Sequence, residues 1–457
     1  MRIDDLYNIV GDASRVKLQA DVEEKYLSDG LMRVKGFADA VVFPISTEEI
    51  SNLMKFAYDN NIYITPRGAG TGMVGATVPV NGGIVLDLSL MNNILELDEN
   101  TLTVTVEPGV LLKELQSYVE ERGLFYPPDP GEKFASIGGN ISTNAGGMRA
   151  VKYGVTRDYV LGLKVVLANG DILNLGGKIR KNSSGLDIKD LVIGSEGTLA
   201  VVTKAILKLV PKPKKSISVL VPFDTLKKGI EAVIKVIKSN ANATAIEFVE
   251  RDVIANAENY LKIEFPTHKG EAYILLTFDG DEESEIKNNY LKVKKVAFEN
   301  GALDFILLDS KELIENTWKI RGALVTAVEA VSEQEPIDIV VPIDKSEEFI
   351  NFTKEAEKEY GIKMTSFGHA GDGNIHLCVI RNGMEEELWH YKSDILLKAL
   401  YEKSKELNGL PSGEHGIGLT KKPYFEAVTD KTNLEYMKKI KKALDEKGIL
   451  NPGKVYM

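Results

Sequence analysis

Cysteine is almost absent: Cys378 stands alone among 457 residues. A single thiol can form no internal disulfide and no multi-thiolate zinc or iron–sulfur site. That fits a reducing compartment and leaves Cys378 as a small core residue. Histidine is scarce too, with five in the chain, so the positions of those five are informative. No run approaches the roughly 18 consecutive apolar residues of a membrane-spanning helix, and the opening Met1-Arg2-Ile3-Asp4-Asp5 lacks the apolar core of a signal peptide. These absences predict a cytoplasmic protein with no transmembrane segment. Basic excess is also missing: 56 Lys and Arg against 67 Asp and Glu leave a net charge of −11, which disfavours nucleic acid and anionic membrane surfaces as partners.

What remains is an ordinary globular composition, 44% hydrophobic and 27% charged. At about 150 residues per domain the length predicts two or three domains. Residues 1 to 35 are charged and read as a helical segment ending at the Asp29-Gly30 turn. A strand over Ala40–Phe43 follows, then a helix over Thr47–Tyr58 capped by Ser46 or Thr47, then a strand over Ile62–Ile64. β-Branched runs at Gly83–Leu88 and Thr101–Val106 alternate with glycine-rich loops. Pro211-Lys212-Pro213-Lys214-Lys215 reads as a linker, since two prolines and three lysines hold no apolar face. Beyond it lie a strand at Ile217–Val221, a helix with Ile230, Val233, Ile234 and Ile237 on one face, and a strand at Tyr273–Phe278. A second α+β domain with a largely antiparallel sheet is predicted, closed by an amphipathic helix near Leu434–Leu444.

Gly70-Thr71-Gly72-Met73-Val74-Gly75 fits the dinucleotide fingerprint G-x-G-x-x-G. The following Ala76-Thr77-Val78-Pro79-Val80-Asn81-Gly82-Gly83 cannot open a helix, so a Rossmann domain is excluded. The alternative is a loop whose exposed amides bind phosphate without a following helix, assisted by the charge of Arg67. A second cluster, Ser136-Ile137-Gly138-Gly139-Asn140-Ile141-Ser142-Thr143-Asn144-Ala145-Gly146-Gly147, preceded by Pro127-Pro128-Asp129-Pro130-Gly131, is too poor in large apolar groups to pack a core. Such backbone lets a large flat ligand approach closely. A third, Gly194-Ser195-Glu196-Gly197-Thr198-Leu199, ends the same domain. Three such loops in one domain point to a bound cofactor.

These three strings, with Pro66-Arg67-Gly68-Ala69-Gly70-Thr71-Gly72 leading the first, resemble the FAD-binding domain of the vanillyl-alcohol oxidase and para-cresol methylhydroxylase superfamily. In the second half, Gly368-His369-Ala370-Gly371-Asp372-Gly373-Asn374-Ile375-His376 and Ser412-Gly413-Glu414-His415-Gly416-Ile417-Gly418 resemble its branch of FAD-linked D-2-hydroxy-acid dehydrogenases. The resemblance spans about Gly36 to Lys454. It implies an α+β fold with a two-subdomain FAD-binding domain of the para-cresol methylhydroxylase type over 36–213, a substrate or cap domain over 214–410, and a C-terminal segment, 411–457, that returns to the flavin. The cofactor contacts it implies are Arg67, Gly68, Ala69, Gly70, Thr71, Gly72, Gly75, Ala76, Pro128, Asp129, Ser136, Gly138, Gly139, Asn140, Thr143, Asn144, Gly146, Gly147, Glu196, Gly197 and Asn451. Covalent relatives carry a histidine where Thr71 stands, so non-covalent FAD is expected.

Three of the five histidines fall in two glycine-rich loops, His369 and His376 seven apart and His415 directly after Glu414. His369, His376 and Glu414 supply two nitrogens and a carboxylate, a set suited to zinc, iron or manganese. A divalent metal chelated by a 2-hydroxy acid makes the hydroxyl easier to deprotonate. His415 is the expected base, with hydride passing from the substrate carbon to flavin N5. The resemblance assigns Arg321 to the substrate carboxylate and Asn374 to a hydrogen bond with substrate or flavin. The 2-hydroxyglutarate branch places a lysine about fifteen residues after the arginine, where this chain reads Glu335-Pro336-Ile337-Asp338, and Val325 replaces its hydroxyl residue. A small monocarboxylate, D-lactate ahead of glycolate, is therefore expected, with electrons passing to an acceptor such as electron-transfer flavoprotein or a quinone. The superfamily also holds non-redox transferases of the alkyl-glycerone-phosphate synthase type, but the His369, His376, Glu414, His415 set favours the dehydrogenase.

Overall fold

The computed structural model describes residues 3–456. The chain divides into two compact units, one formed by 1–146, 154–212 and 414–457, the other by 147–153 and 213–413.

In the first unit a four-stranded sheet runs in the order Val16–Leu18, Ala40–Val42, Ile84–Asp87, Ile64–Arg67. The last three strands are mutually parallel. The helix Thr47–Asn60 begins where Ser46 Oγ accepts from Glu49 N–H at 3.1 Å and ends at Asn61 in the left-handed region. It buries Ile50, Leu53, Met54 and Ala57 against Val42, Ile64 and Leu86 of the sheet, and Ile449 and Leu450 complete that core. The strand expected at Ile62–Ile64 instead spans Ile64–Arg67, because Ile62 N–H still bonds Ala57 O and belongs to the helix end. A second sheet of five strands is antiparallel throughout, in the order Ile94–Asp98, Thr103–Val106, Val201–Lys208, Val160–Val166, Ile172–Gly176.

Residues 1 to 35 differ from the expected helical segment. Within them the α-helix covers only Ile3–Val10. Val16–Leu18 instead pairs antiparallel with Ala40–Val42, supplying hydrogen bonds to an otherwise open sheet edge, and short 3₁₀ turns follow. Helix propensity is a weak local preference, and the unpaired edge of a sheet outweighs it.

In the second unit seven strands form one antiparallel sheet, in the order Ile306–Leu308, Lys215–Phe223, Ala272–Gly280, Ala245–Glu250, Lys363–His369, Asn374–Ile380, Gln334–Val340. Tyr273 and Leu275 pack on one face against the helices Arg251–Leu261, Lys311–Gly322 and Leu324–Glu329. Ile274, one residue out of phase, faces Gly229 of the helix Leu226–Lys238 on the other. In that helix Val236 is buried and Ile237 is 38% exposed, so the inward stripe leaves the i, i+7 position that the spacing had assigned to Ile237. The linker reading of 211–215 narrows: Val210–Pro211 pairs with Leu124–Phe125, and Lys215 already begins a long strand. Among the described residues no helix is long and apolar enough to cross a membrane.

Candidate active site

The first unit holds a cavity lined by residues of all three glycine clusters and by His415. The strand Ile64–Arg67 runs directly into the first cluster, and no helix follows before the next strand at Ile84. No helix consumes the loop's amides, although Ala69 N–H donates to Ser136 Oγ at 3.3 Å and Gly75 N–H to Asp29 Oδ2 at 2.6 Å. Gly70 has φ +74°, and a Cβ there would lie 2.0 Å from the Arg67 guanidinium. Arg67 itself is buried and turned beneath the loop, donating to Ser28 O at 2.7 Å and Thr77 Oγ1 at 3.4 Å. Its charge props the loop from below. A Cβ on Gly68 would lie 2.2 Å from Ser136 Oγ, the atom that caps the helix Ile137–Thr143 by accepting from Gly139 N–H at 3.2 Å. Glycine is thus what lets these two loops meet.

Of the residues expected at the cofactor, Arg67 to Gly72, Ala76, Ser136, Gly138, Gly139, Asn140, Thr143, Glu196 and Gly197 line this cavity. Gly75, Pro128, Asp129, Asn144, Gly146 and Asn451 belong to the same unit but lie outside its lining, and Gly147 belongs to the second unit. Asp129 is paired with Lys133 at 2.6 Å. Asn451 donates to the carbonyls of Ala76 at 3.0 Å and Glu196 at 2.8 Å, so it ties chain segments together. The Asn140 Nδ2 group is buried with no partner, a donor aimed where a ligand can satisfy it. An orphaned amide and a glycine cradle fit a bound flavin.

Glu196 adopts φ +52°, and its two carboxylate oxygens accept from Ile417 N–H and Gly418 N–H, each at 2.8 Å. The turn just after His415 is thereby fastened to the cavity wall. Burial pushes the Glu196 carboxyl up to about 7, although those two amides and the charges of Lys421 and Lys454 oppose the rise.

The second unit carries a polar constellation on the sheet face that packs against Lys311–Gly322. Sheet register assembles it: Glu247 lies opposite His369, His369 opposite Asn374, Phe367 opposite His376, and His376 opposite Asp338. Directly opposed residues share a face, so four strands deliver one cluster. His369 and His376 meet edge to face with ring centroids 5.2 Å apart, and nitrogens of the two rings lie within 4.8 Å. Both are buried. His376 stacks on Phe367 at 5.3 Å, and the Arg321 guanidinium lies over the same phenyl ring at 5.1 Å. Two buried imidazoles with converging nitrogens can take a divalent ion.

Two carboxylates that sequence reasoning missed organise the cluster. Glu247 accepts from Arg321 Nε and Nη2 at 2.9 and 2.6 Å and from His369 Nδ1 at 2.6 Å. Burial alone would raise its pKa, but His369 and Arg321 outweigh burial and hold the carboxyl below its ordinary range. Asp338 accepts from Asn374 Nδ2 at 2.7 Å, Ser412 Oγ at 2.7 Å and Gly413 N–H at 3.2 Å, fixing the chain one residue before Glu414. The signal for both was a lone acid in an apolar strand, Ala245-Ile246-Glu247-Phe248-Val249 and Ile337-Asp338-Ile339. The Asn374 amide nitrogen is spent on Asp338, and its buried Oδ1 has no partner. Cys378 is buried on this sheet, where desolvation pushes the thiol up to about 12 and leaves it inert.

The FAD binding domain family matches residues 38–176, and the family described as FAD linked oxidases, C-terminal domain, matches residues 212–455. This chain belongs to the FAD-linked oxidases. A D-lactate dehydrogenase of Anaerostipes hadrus is 41% identical over 96% of this chain and 94% of its own length. The glycolate oxidase subunit GlcD of Bacillus subtilis (strain 168) is 38% identical over 94% of the chain and 92% of its own. The crystal structure of p-cresol methylhydroxylase with substrate bound superposes with a TM-score of 0.81 at 17% identity, covering 99% of this chain and 96% of that one, which establishes the shared fold. FAD is the cofactor of this FAD-linked oxidase.

Proposed function

We propose that this FAD-linked oxidase is a D-2-hydroxy-acid dehydrogenase whose main substrate is D-lactate, converted to pyruvate. The observation that carries the reading is the sheet face on which His369 and His376 gather around Phe367, with Arg321 reaching over that ring from the helix Lys311–Gly322. Membership of a family whose relatives include a D-lactate dehydrogenase and a glycolate oxidase subunit supports the substrate class.

The bound flavin supplies the two-electron acceptor for the hydrogen on the substrate carbon. A divalent ion held by His369, His376 and Glu414 supplies the positive charge that eases loss of the hydroxyl proton. His415 takes that proton, an imidazole being basic enough near neutral pH. Arg321 keeps Nη1 for the substrate carboxylate, since Nε and Nη2 are committed to Glu247. The stretch Glu335–Asp338 offers no lysine for a second carboxylate, which favours D-lactate and then glycolate over 2-hydroxyglutarate. The chain carries no second redox motif, so electrons leave to an external acceptor, electron-transfer flavoprotein or a quinone being the proposed classes. In this reading 36–213 hold the flavin, 214–410 the substrate, and 411–457 serve both, in a cytoplasmic enzyme.

The test is an anaerobic visible spectrum of the metal-replete protein before and after D-lactate, with L-lactate as control. Bleaching of the oxidised-flavin band by the D isomer alone is expected. A flavin that no D-2-hydroxy acid reduces would overturn the proposal.

A further inference from the structure

Glu247 is fully enclosed, at 0% exposure between Ile246 and Phe248 on a central strand. A carboxylate in that position is costly unless it is fully paired. One partner would have neutralised it, yet it has two, and they come from different elements. His369 reaches it across the sheet ladder from the strand Lys363–His369, and Arg321 reaches it from the helix Lys311–Gly322. The carboxylate divides its oxygens between them, Oε1 to His369 Nδ1 and both Arg321 nitrogens to Oε2.

That division has a chemical consequence for each partner. An ionised carboxylate only accepts, so a neutral His369 carries its proton on Nδ1, the tautomer whose lone pair lies on Nε2. Arg321, held by its Nε–Nη2 edge and laid over Phe367, has one orientation in which Nη1 stays available. Glu247 itself is walled off from solvent and offers no oxygen outward.

We propose that Glu247 is a positioning residue shared by the metal-binding histidine and the substrate-binding arginine, so that a single buried carboxylate sets metal affinity and substrate affinity together. This rests on the roles proposed above for His369 and Arg321. Glu247 touches neither metal nor substrate and acts through the two side chains it orients.

The experiment compares wild type with Glu247→Gln as flavin-loaded full-length protein. Three quantities are measured: Mn²⁺ affinity by chelator competition, KM and kcat for D-lactate at saturating Mn²⁺, and the visible flavin spectrum. Glu247→Gln is expected to keep the flavin spectrum, to bind Mn²⁺ about 10- to 100-fold more weakly, and to show a raised KM at saturating metal. Adding Arg321→Ala to Glu247→Gln is expected to raise KM by less than Arg321→Ala does in wild type, because the two share one interaction. A variant with an intact flavin spectrum whose Mn²⁺ affinity and KM both stay within about twofold of wild type would overturn the proposal, as would one that moves only one of the two. Should Glu247→Gln give no folded flavoprotein, Glu247→Asp decides instead. Its shorter carboxylate cannot hold both partners, so unchanged metal affinity and KM there overturn the idea. A wild-type protein that binds no Mn²⁺ and is reduced by no D-2-hydroxy acid would overturn the site assignment itself, and this inference with it.

Discussion

His415 lines the glycine-rich cavity and is followed by a turn that Glu196 clamps through two backbone amides. If it is the base, His415→Ala keeps the flavin spectrum and slows flavin reduction by D-lactate by about 100-fold or more, the usual worth of a positioned proton acceptor. Stopped-flow absorbance measures this directly, and a wild-type rate removes His415 from the chemistry. Glu196 carries a separate expectation. Its carboxyl rises from 4.5 to about 7 on folding, so between those values the folded state holds the extra proton. Its contribution to stability is therefore full below the lower value and is lost as pH climbs through the upper one. The difference in melting temperature between wild type and Glu196→Gln should shrink between about pH 5 and pH 8. A difference that stays constant over that range means Glu196 is ionised throughout. The sequence already singled out Glu196 as a cofactor contact, but only the fold shows that its carboxylate grips residues 417 and 418, more than two hundred positions away.

At the scale of elements the first glycine loop does the most with the least. Gly70 combines a left-handed backbone with a site where a Cβ would strike Arg67, and Arg67 is the buried prop beneath the loop. Gly70→Ala is expected to yield folded protein that purifies depleted of FAD, visible as a lower ratio of flavin to protein absorbance. Full flavin content in that variant would mean that the loop yields without cost. The loop was legible because a glycine string after a strand, with proline and two more glycines behind it, cannot start a helix. The long helices were legible for the opposite reason: Thr47–Asn60 shows its Ser46 cap and its apolar stripe in the letters alone. Val16–Leu18 was not, since three residues carry no period and their strand exists only because the edge at Ala40–Val42 needs a partner.

For the whole molecule, colour and metal dependence should separate. The residues proposed to contact FAD include none of His369, His376 and Glu414, so a chelator that removes a metal held by those three has no reason to remove FAD. Treatment with EDTA followed by desalting is expected to leave a yellow protein that D-lactate no longer reduces, with reduction restored by Mn²⁺ or Zn²⁺. Undiminished reduction after exhaustive chelation, with metal analysis confirming its removal, would show that no metal takes part in the reaction.

Some features of this protein were determined by local chemistry alone. The glycine clusters, the scarcity of cysteine and the paired His369 and His376 carry their meaning in short windows, because backbone freedom, thiol count and ligand spacing are properties of neighbouring residues. The tertiary structure alone decided what binds those windows together. Glu247 and Asp338 read as single acids in apolar strands until sheet register sets one against His369 and the other against His376. A strand pattern specifies which residues share a face, but only pairing with distant strands specifies which of them touch. The cost of burying a charge then explains why each acid is surrounded by partners from elsewhere in the chain.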